Sequence, residues 1–233
     1  MPTAPTRILL KLSGEAFKGP EGAFSPAALE SLAKEIASVS FGVAIVVGAG
    51  NILRGARSAL LDRVEADTLG MLATVLNALA LRTYLEACGR DVFVQSAIDT
   101  ELTDPVSPRD ARRALDQGAI VIFAGGTGSP LVTTDTAAAL RAVSVGADLL
   151  AKASNVAGLY DRDPSIDPGA RLLHDVTFDE FLAARYGVMD QVAVEICREH
   201  QLPIEIFNFG QPGALRALAE GRRVGTRVGA PRP

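Results

Sequence analysis

Residues 119 to 145 read AIVIFAGGTGSPLVTTDTAAALRAVSV, and this stretch decides the fold. Ala119 to Phe123 is a short apolar run, the pattern of a strand buried on both faces. The chain then turns through Gly125, Gly126 and Gly128 and enters an alanine-rich helix near Thr134 and Asp135. A strand, a glycine turn and a helix N-terminus together suit an anion. Glycine lets backbone N–H groups approach a phosphate closely, and the helix dipole favours negative charge there. Thr127, Ser129, Thr133 and Thr134 add hydroxyls without charge, while Asp135 sets a carboxylate at the same mouth. A phosphate would accept that carboxylate only beside a cation. The same residues also meet the ordinary requirements of a capped helix, so the stretch alone leaves both readings open.

Outward from this unit the pattern repeats. Arg7 to Leu12 (RILLKL) runs into Ser13-Gly14, and Val43 to Val47 (VAIVV) runs into Gly48-Ala49-Gly50-Asn51. Asp148 to Lys152 (DLLAK) precedes Ser154-Asn155; Asp91 to Gln95 and Ile204 to Phe207 are further strands. Helices are predicted from Ser25-Pro26 to about Val39, from Val64 to Ala87, and from Ser107-Pro108 to Gly118, where Pro takes the first helical position. Others run from Thr134 to Gly146, from the Thr177–Glu180 capping box to Arg185, from Met189 to His200, and from Pro212 to Ala219. Residues 156 to 173 read as an excursion from the sheet, and Gly229 to Pro233 as a loose tail. Doubly apolar strands alternating with helices predict an α/β fold: a mainly parallel sheet with helices on both faces, a three-layer sandwich forming one domain over residues 1–233. Ligands of such sheets sit beyond the carboxyl ends of the strands. Ser13-Gly14, Gly48 to Asn51, Gly125 to Gly128 and Ser154-Asn155 should therefore meet in one crevice.

Composition narrows the class. Of 233 residues 48% are apolar and 21% charged, which suits a packed globular chain. The net charge of -4, with basic residues scattered, gives no reason to expect nucleic acid. Cys88, Cys197, His174 and His200 show no metal-ligand spacing, and two reduced thiols are expected. The start, MPTAPT, is not a signal peptide, and no apolar run approaches the roughly 20 residues of a membrane span. A cytoplasmic location without a membrane partner is the expectation.

The familiar phosphate signatures are missing. There is no GxxxxGK[ST], no HRD or DFG set and no GxSxG, and GAGNIL at Gly48 to Leu53 places Leu where a dinucleotide motif needs Gly. The parts for phosphoryl transfer are nonetheless present, since that reaction asks for a cationic clamp and in-line placement more than for covalent chemistry. Lys11 and Lys152 each end an apolar strand, Arg54 follows the second glycine turn, and Asp135 and Asp190 stand at helix starts. Either lysine could instead reach solvent from its strand end, and Asp190 could be an ordinary helix-start acid.

Taken together, KLSGEAF (11–17), GAGNILRG (48–55), DTLGMLATVLNALAL (67–81), GGTGSPLVTTDTAAALRA (125–142), KASNVAGLYDRDP (152–164), MDQVAVEIC (189–197) and PIEIFNF (203–209) resemble the bacterial uridylate kinases of the amino-acid-kinase fold, in order and over nearly the whole chain. The resemblance implies transfer of the γ-phosphoryl of ATP, with Mg2+, to UMP. It implies ATP contacts at Lys11, Leu12, Ser13, Gly14, Gly50, Arg54, Ser154, Asn155, Tyr160 and Asp163. It implies UMP contacts at Ala49, Asp67, Gly126, Thr127, Gly128, Ser129, Pro130, Leu131, Val132 and Thr133, with Thr133 near the uracil edge. Lys11, Asp135, Lys152 and Asp190 would be catalytic, the two aspartates orienting lysines or magnesium. The family pattern further implies a homohexamer, activated by GTP and inhibited by UTP. Effector contacts are implied at Gly19, Pro20, Glu21, Gly22, Ala23, Phe24 and Arg82. Two departures stand out: Ala49 replaces the middle glycine of GGGN, and Ala157 replaces the aspartate of VDG. Ala49 would crowd the acceptor if its φ had to be positive. A kinase of the same fold with another acceptor, and a nucleotide-binding sensor that has lost catalysis, are the rival readings at this level.

Overall fold

The computed structural model describes residues 6–53, 61–162, 164, 166–167 and 169–229. Arg54 and Asp163, and the tail beyond Gly229, lie outside the described residues.

Among the described residues nine strands form one sheet. In chain order they are β1 (Arg7–Leu12), β2 (Gly42–Val47), β3 (Val92–Ser96), β4 (Asp104–Pro105), β5 (Ile120–Ala124), β6 (Leu149–Ser154), β9 (Asp175–Thr177), β10 (Ile204–Asn208) and β11 (Thr226–Gly229). Across the sheet the order is β4-β3-β5-β2-β1-β6-β10-β11-β9. Every pairing is parallel except β10 with β11. The excursion after β6 is a small antiparallel hairpin of β7 (Leu159–Tyr160) and β8 (Leu172–Leu173).

Strand side chains alternate between faces, and the core divides accordingly. Ile8, Leu10 and Leu12 of β1 pack in one layer with α1 (Pro26–Ala37), α2 (Arg63–Ala87) and α7 (Ala214–Ala219). Leu9 faces the other layer, which holds α3 (Pro108–Asp116), α4 (Thr134–Val145), α5 (Phe178–Ala184) and α6 (Gln191–Glu199). The expected three-layer sandwich is therefore present. Lys11 is two residues beyond Leu9 and so points to the α4 face. By the same alternation Lys152 of β6 follows Leu150 to that face, and Lys11 and Lys152 are register partners across β1 and β6.

Several expectations need correction. Four short strands (β4, β7, β8 and β9) and the antiparallel β11 were not foreseen; Gly229, expected to begin a loose tail, pairs with Thr177 at the end of β11. The last helix is six residues rather than eight, because Gly213 enters it at φ 77° and Pro212 lies outside. Helix α2 is long and apolar enough by length and composition to cross a membrane, contrary to the sequence estimate. Thr, Gly and Asn interrupt its apolar runs, yet the average over the helix stays apolar. It lies instead along the sheet, burying Val75, Ala78, Leu81 and Leu85. Its outer face carries Leu69, Leu72 and Leu76, the last two 51% and 53% exposed.

Candidate active site

The carboxyl ends of β1, β2, β5 and β6 do converge. Gly48 N–H donates to Leu12 O at 2.8 Å, so the turns after β1 and β2 are joined at their base. Gly14 lies so close to the second turn that a Cβ there would stand 2.4 Å from Gly50 N and 2.5 Å from Asn51 Oδ1. Only glycine allows that approach. Gly125, at φ 73°, lies equally close to Ala97 N and Ile98 N, each 2.8 Å from where its Cβ would be. Ala49 has no left-handed backbone, so its methyl is accommodated without strain.

Asp135 organises the cations. It is the second residue of α4, buried at the mouth where the dipole of that helix favours a carboxylate. Lys11 Nζ stands 2.8 Å from Asp135 Oδ1, a charge contact off the hydrogen-bond direction. Lys152 Nζ donates to Asp135 Oδ2, and the Asp190 N–H donates to the same oxygen at 3.3 Å. Burial by itself would raise the Asp135 carboxyl, but the Lys11 and Lys152 ammoniums overcome it and hold the group below the usual carboxylate range. Burial, then the Lys11 charge, pull Lys152 down to about 8 against the opposing attraction of Asp135. Lysines snorkelling to solvent would not show this: both ammoniums are turned inward and share one anion.

Asp190 has a separate task. It caps α6, accepting from Val192 N–H at 3.0 Å. Its other oxygen accepts from the hydroxyls of Thr133 (2.8 Å) and Thr136 (2.6 Å). Thr133 in turn caps α4 by accepting from Asp135 N–H at 3.2 Å. Asp190 thereby ties α6 to the start of α4.

These donor sets bear on magnesium. Among the described residues no three Asp, Glu, His or Cys side chains converge as a metal site. The Asp135 carboxylate is engaged by two ammoniums. The residues do not fit a metal held by the protein alone, and Mg2+ typically keeps waters and substrate phosphates as most of its ligands.

A hollow of ≈ 190 Å³ opens beside the lysines, between α2, the Gly48–Leu53 turn and the residues before α4. Of the expected acceptor residues it is lined by Ala49, Asp67, Gly126, Thr127, Ser129, Val132 and Thr133. Gly128, Pro130 and Leu131 are not in its wall, and Leu131 is 64% exposed at φ 68°. Asp67 holds that strained turn: its Oδ2 accepts from Leu131 N–H at 2.9 Å and from Arg63 Nε at 2.7 Å. The wall also contains Arg63, Met71 and Thr74, which sequence reasoning missed. The only sequence signal for Arg63 was its spacing of four from Asp67, which places the two on one helix face.

Among the expected ATP residues, Ser154, Asn155 and Tyr160 do not share one hollow. Ser154 and Asn155 border one of ≈ 310 Å³ with Phe209 and Pro212, and Tyr160 borders another of ≈ 390 Å³ with Arg162 and Tyr186. A larger hollow, ≈ 670 Å³, lies at the opposite ends of the strands, by Thr6, Val39 and Arg216, away from the lysines. Size therefore does not mark the site here. Of the expected effector residues, Gly19 and Gly22 bond to each other in both directions at 3.1 Å, and Ala23 O accepts from Asn51 Nδ2 at 2.8 Å. Arg82 faces outward, 4.0 Å from Glu86 on the same helix.

The chain is similar to known proteins in sequence and in fold. Residues 6–208 match the model of the amino acid kinase family. The chain is 45% identical over 231 residues to the chloroplastic uridylate kinase PUMPKIN of Arabidopsis thaliana, covering 96% of this chain and 68% of that protein. It is 44% identical over 229 residues to the uridylate kinase of Stutzerimonas stutzeri, covering 95% and 93%. Among solved structures, the UMP kinase of Bacillus anthracis superposes with a TM-score of 0.94 at 36% identity, covering 99% and 98%. That of Ureaplasma parvum superposes with a TM-score of 0.90 at 34% identity, covering 97% and 100%.

Proposed function

We propose that this chain, which belongs to the amino acid kinase family, is a UMP kinase that transfers the γ-phosphoryl group of Mg-ATP to UMP, giving UDP and ADP. The observation that carries the reading is the buried Lys11–Asp135–Lys152 cluster at the carboxyl ends of β1 and β6, beside the hollow lined by Asp67, Gly126, Thr127, Ser129, Val132 and Thr133.

In this reading the N-terminal part of one domain chiefly holds UMP and the C-terminal part chiefly holds ATP. Ser13 and Gly14 offer backbone N–H groups to the ATP phosphates, Gly50 reaches them from the rim of the acceptor hollow that it also lines, and the α4 mouth receives UMP. An oxygen of the UMP phosphate attacks the γ-phosphorus, a P–O bond forms, and the bond to the ADP oxygen breaks. Lys11 and Lys152 spread positive charge over the transferring group, an electrostatic contribution that needs no covalent step. Asp135 aims the ammoniums, and Asp190 sets Thr133 and the start of α4 without touching the substrates. Magnesium enters as part of the Mg-ATP substrate. The exposed leucines of α2 support burial of that face in a homohexamer. GTP and UTP are the effectors we assign, and the cytoplasm the compartment.

The test is magnesium- and ATP-dependent ADP release with UMP, CMP, AMP, dTMP, carbamate and glutamate as separate acceptors. Release with UMP alone is expected. Release with carbamate or glutamate but not UMP, or none with any acceptor from protein that binds ATP, would refute the reading.

A further inference from the structure

Two polar side chains interrupt the buried face of α2 without appearing among the expected site residues. Thr74 is 1% exposed and Asn77 is fully buried. A buried amide is costly unless every hydrogen-bonding group is used, and Asn77 uses all of its own. Its Nδ2 donates to Gly48 O at 2.7 Å and to Asn51 Oδ1 at 2.8 Å. Its Oδ1 accepts from Asn51 Nδ2 at 2.9 Å, and the second hydrogen of that Nδ2 goes to Ala23 O at 2.8 Å. Two backbone carbonyls, Gly48 O and Ala23 O, can accept only from an amide nitrogen, so the orientation of both side chains is fixed. The pair is closed and complete.

Its position gives it a consequence. Asn51 Oδ1 is also an atom against which Gly14 packs, so the pair lies where the turn after β1 meets the turn after β2. One turn serves the donor and the other borders the acceptor hollow through Ala49 and Gly50. Thr74, one helical turn before Asn77, accepts from Gly125 N–H at 2.7 Å and fixes the third turn. The inner polar face of α2 thus braces the glycine turns against one another.

We propose that Asn77 is a positioning residue for phosphoryl transfer, acting through Asn51 to set the spacing between the donor and acceptor turns. The proposal rests on the kinase reading above. An amide pair of this kind fixes where the UMP phosphate lies relative to the γ-phosphorus, and small misplacements of reacting groups lower rates steeply. ATP, held by contacts on the β1 and β6 side as well, depends on the pair less.

The experiment uses the full chain as wild type, Asn77→Ala, Asn51→Ala and the double variant, with steady-state kinetics at varied UMP and at varied ATP, and circular dichroism as a control of folding. The expected result is a fall of about tenfold or more in kcat/KM for UMP in each single variant, with KM for ATP within about twofold of wild type. The double variant should fall no further than the worse single variant, because both substitutions break one pair. A folded Asn51→Ala with kcat/KM for UMP within about twofold of wild type would overturn the proposal. So would a fall in kcat matched by an equal fall in the fraction of the protein that binds ATP, which is what a smaller active fraction gives. If Asn77→Ala does not fold, Asn51→Ala breaks the same pair from the half-buried side and decides the matter. A wild-type chain inactive on UMP would strike down the kinase reading, and this inference with it, whereas active wild type with unaffected variants strikes down this inference alone.

Discussion

Replacing Asp135 with Asn removes the one negative charge between two buried ammoniums while keeping the side-chain shape. Breaking a buried ion pair by removing one partner typically costs about 3–5 kcal/mol, because the remaining charge is left uncompensated. Here two charges are left, but one has an escape. Lys152 already lies near 8, and the Asp135 charge helps to hold it up. In the variant it falls further, and Lys152 sheds its proton at a lower pH. A lysine depressed on folding binds fewer protons folded than unfolded between its two pKa values, so stability rises with pH across that window. In wild type the rise begins near pH 8; in the variant it begins lower. At pH 6 we expect a loss of about 3–5 kcal/mol. By pH 9 that loss should shrink by about 1.4 kcal/mol for each unit by which the substitution lowers the Lys152 pKa. Urea unfolding of both proteins at pH 6 and pH 9 measures this, and the other carboxylates cancel in the difference. A destabilisation equal at the two pH values, or below about 1 kcal/mol at pH 6, would refute the claim that Asp135 carries the charge balance of the site.

Further outcomes follow from the same geometry. Lys11→Ala should lower kcat by a factor corresponding to about 2.7–4 kcal/mol, with the fold intact by circular dichroism; a kcat within about threefold of wild type would remove Lys11 from the transition state. Thr133→Val loses both the α4 cap and the bond to Asp190, so it should cost about 1 kcal/mol in urea unfolding and relax the kcat/KM preference for UMP over CMP. An unchanged preference would take Thr133 out of base recognition. Cys197 is buried and its thiol is pushed up to about 12 by that burial, while Cys88 is exposed. An aromatic disulfide reagent at pH 8 should therefore titrate one thiol in the native chain and two in denaturant; two fast thiols in the native state would contradict the packing of α6.

The central strands were legible because each is an apolar run closed by a glycine or serine turn, and two of them end in a lysine that an apolar interior would not hold alone. The edge of the sheet was not. β4, β9 and β11 span only two to four residues, β4 with both residues exposed, too short for a period to be read from sequence. The site was half legible for the same reason. Lys11 and Lys152 announced themselves, but nothing local says that Asp135, 124 positions after one and 17 before the other, would lie between them; that follows from the register of β1 and β6. Thr74 and Asn77 carry no local signal within the apolar pattern of Val64 to Ala87. Polar residues inside such a helix become informative only when the backbone groups they reach are known.

The order of strands has a consequence for how the chain is made. β1 lies at the centre of the sheet, yet it is synthesised first. Its partner on one side, β2, follows soon, but Leu149, the start of its partner on the other, enters the chain 137 residues after Leu12. At translation speeds of about 5–20 residues per second that is roughly 7 to 27 s during which one flank of the central strand has no neighbour. An unpaired apolar strand is a template for wrong pairings, and parallel sheets built from distant segments fold slowly. The quality of the folded product therefore depends on what shields the open side of β1 while the ribosome works through the intervening helices, and a pause placed before β6 should cost more soluble protein than an equal pause placed after β10.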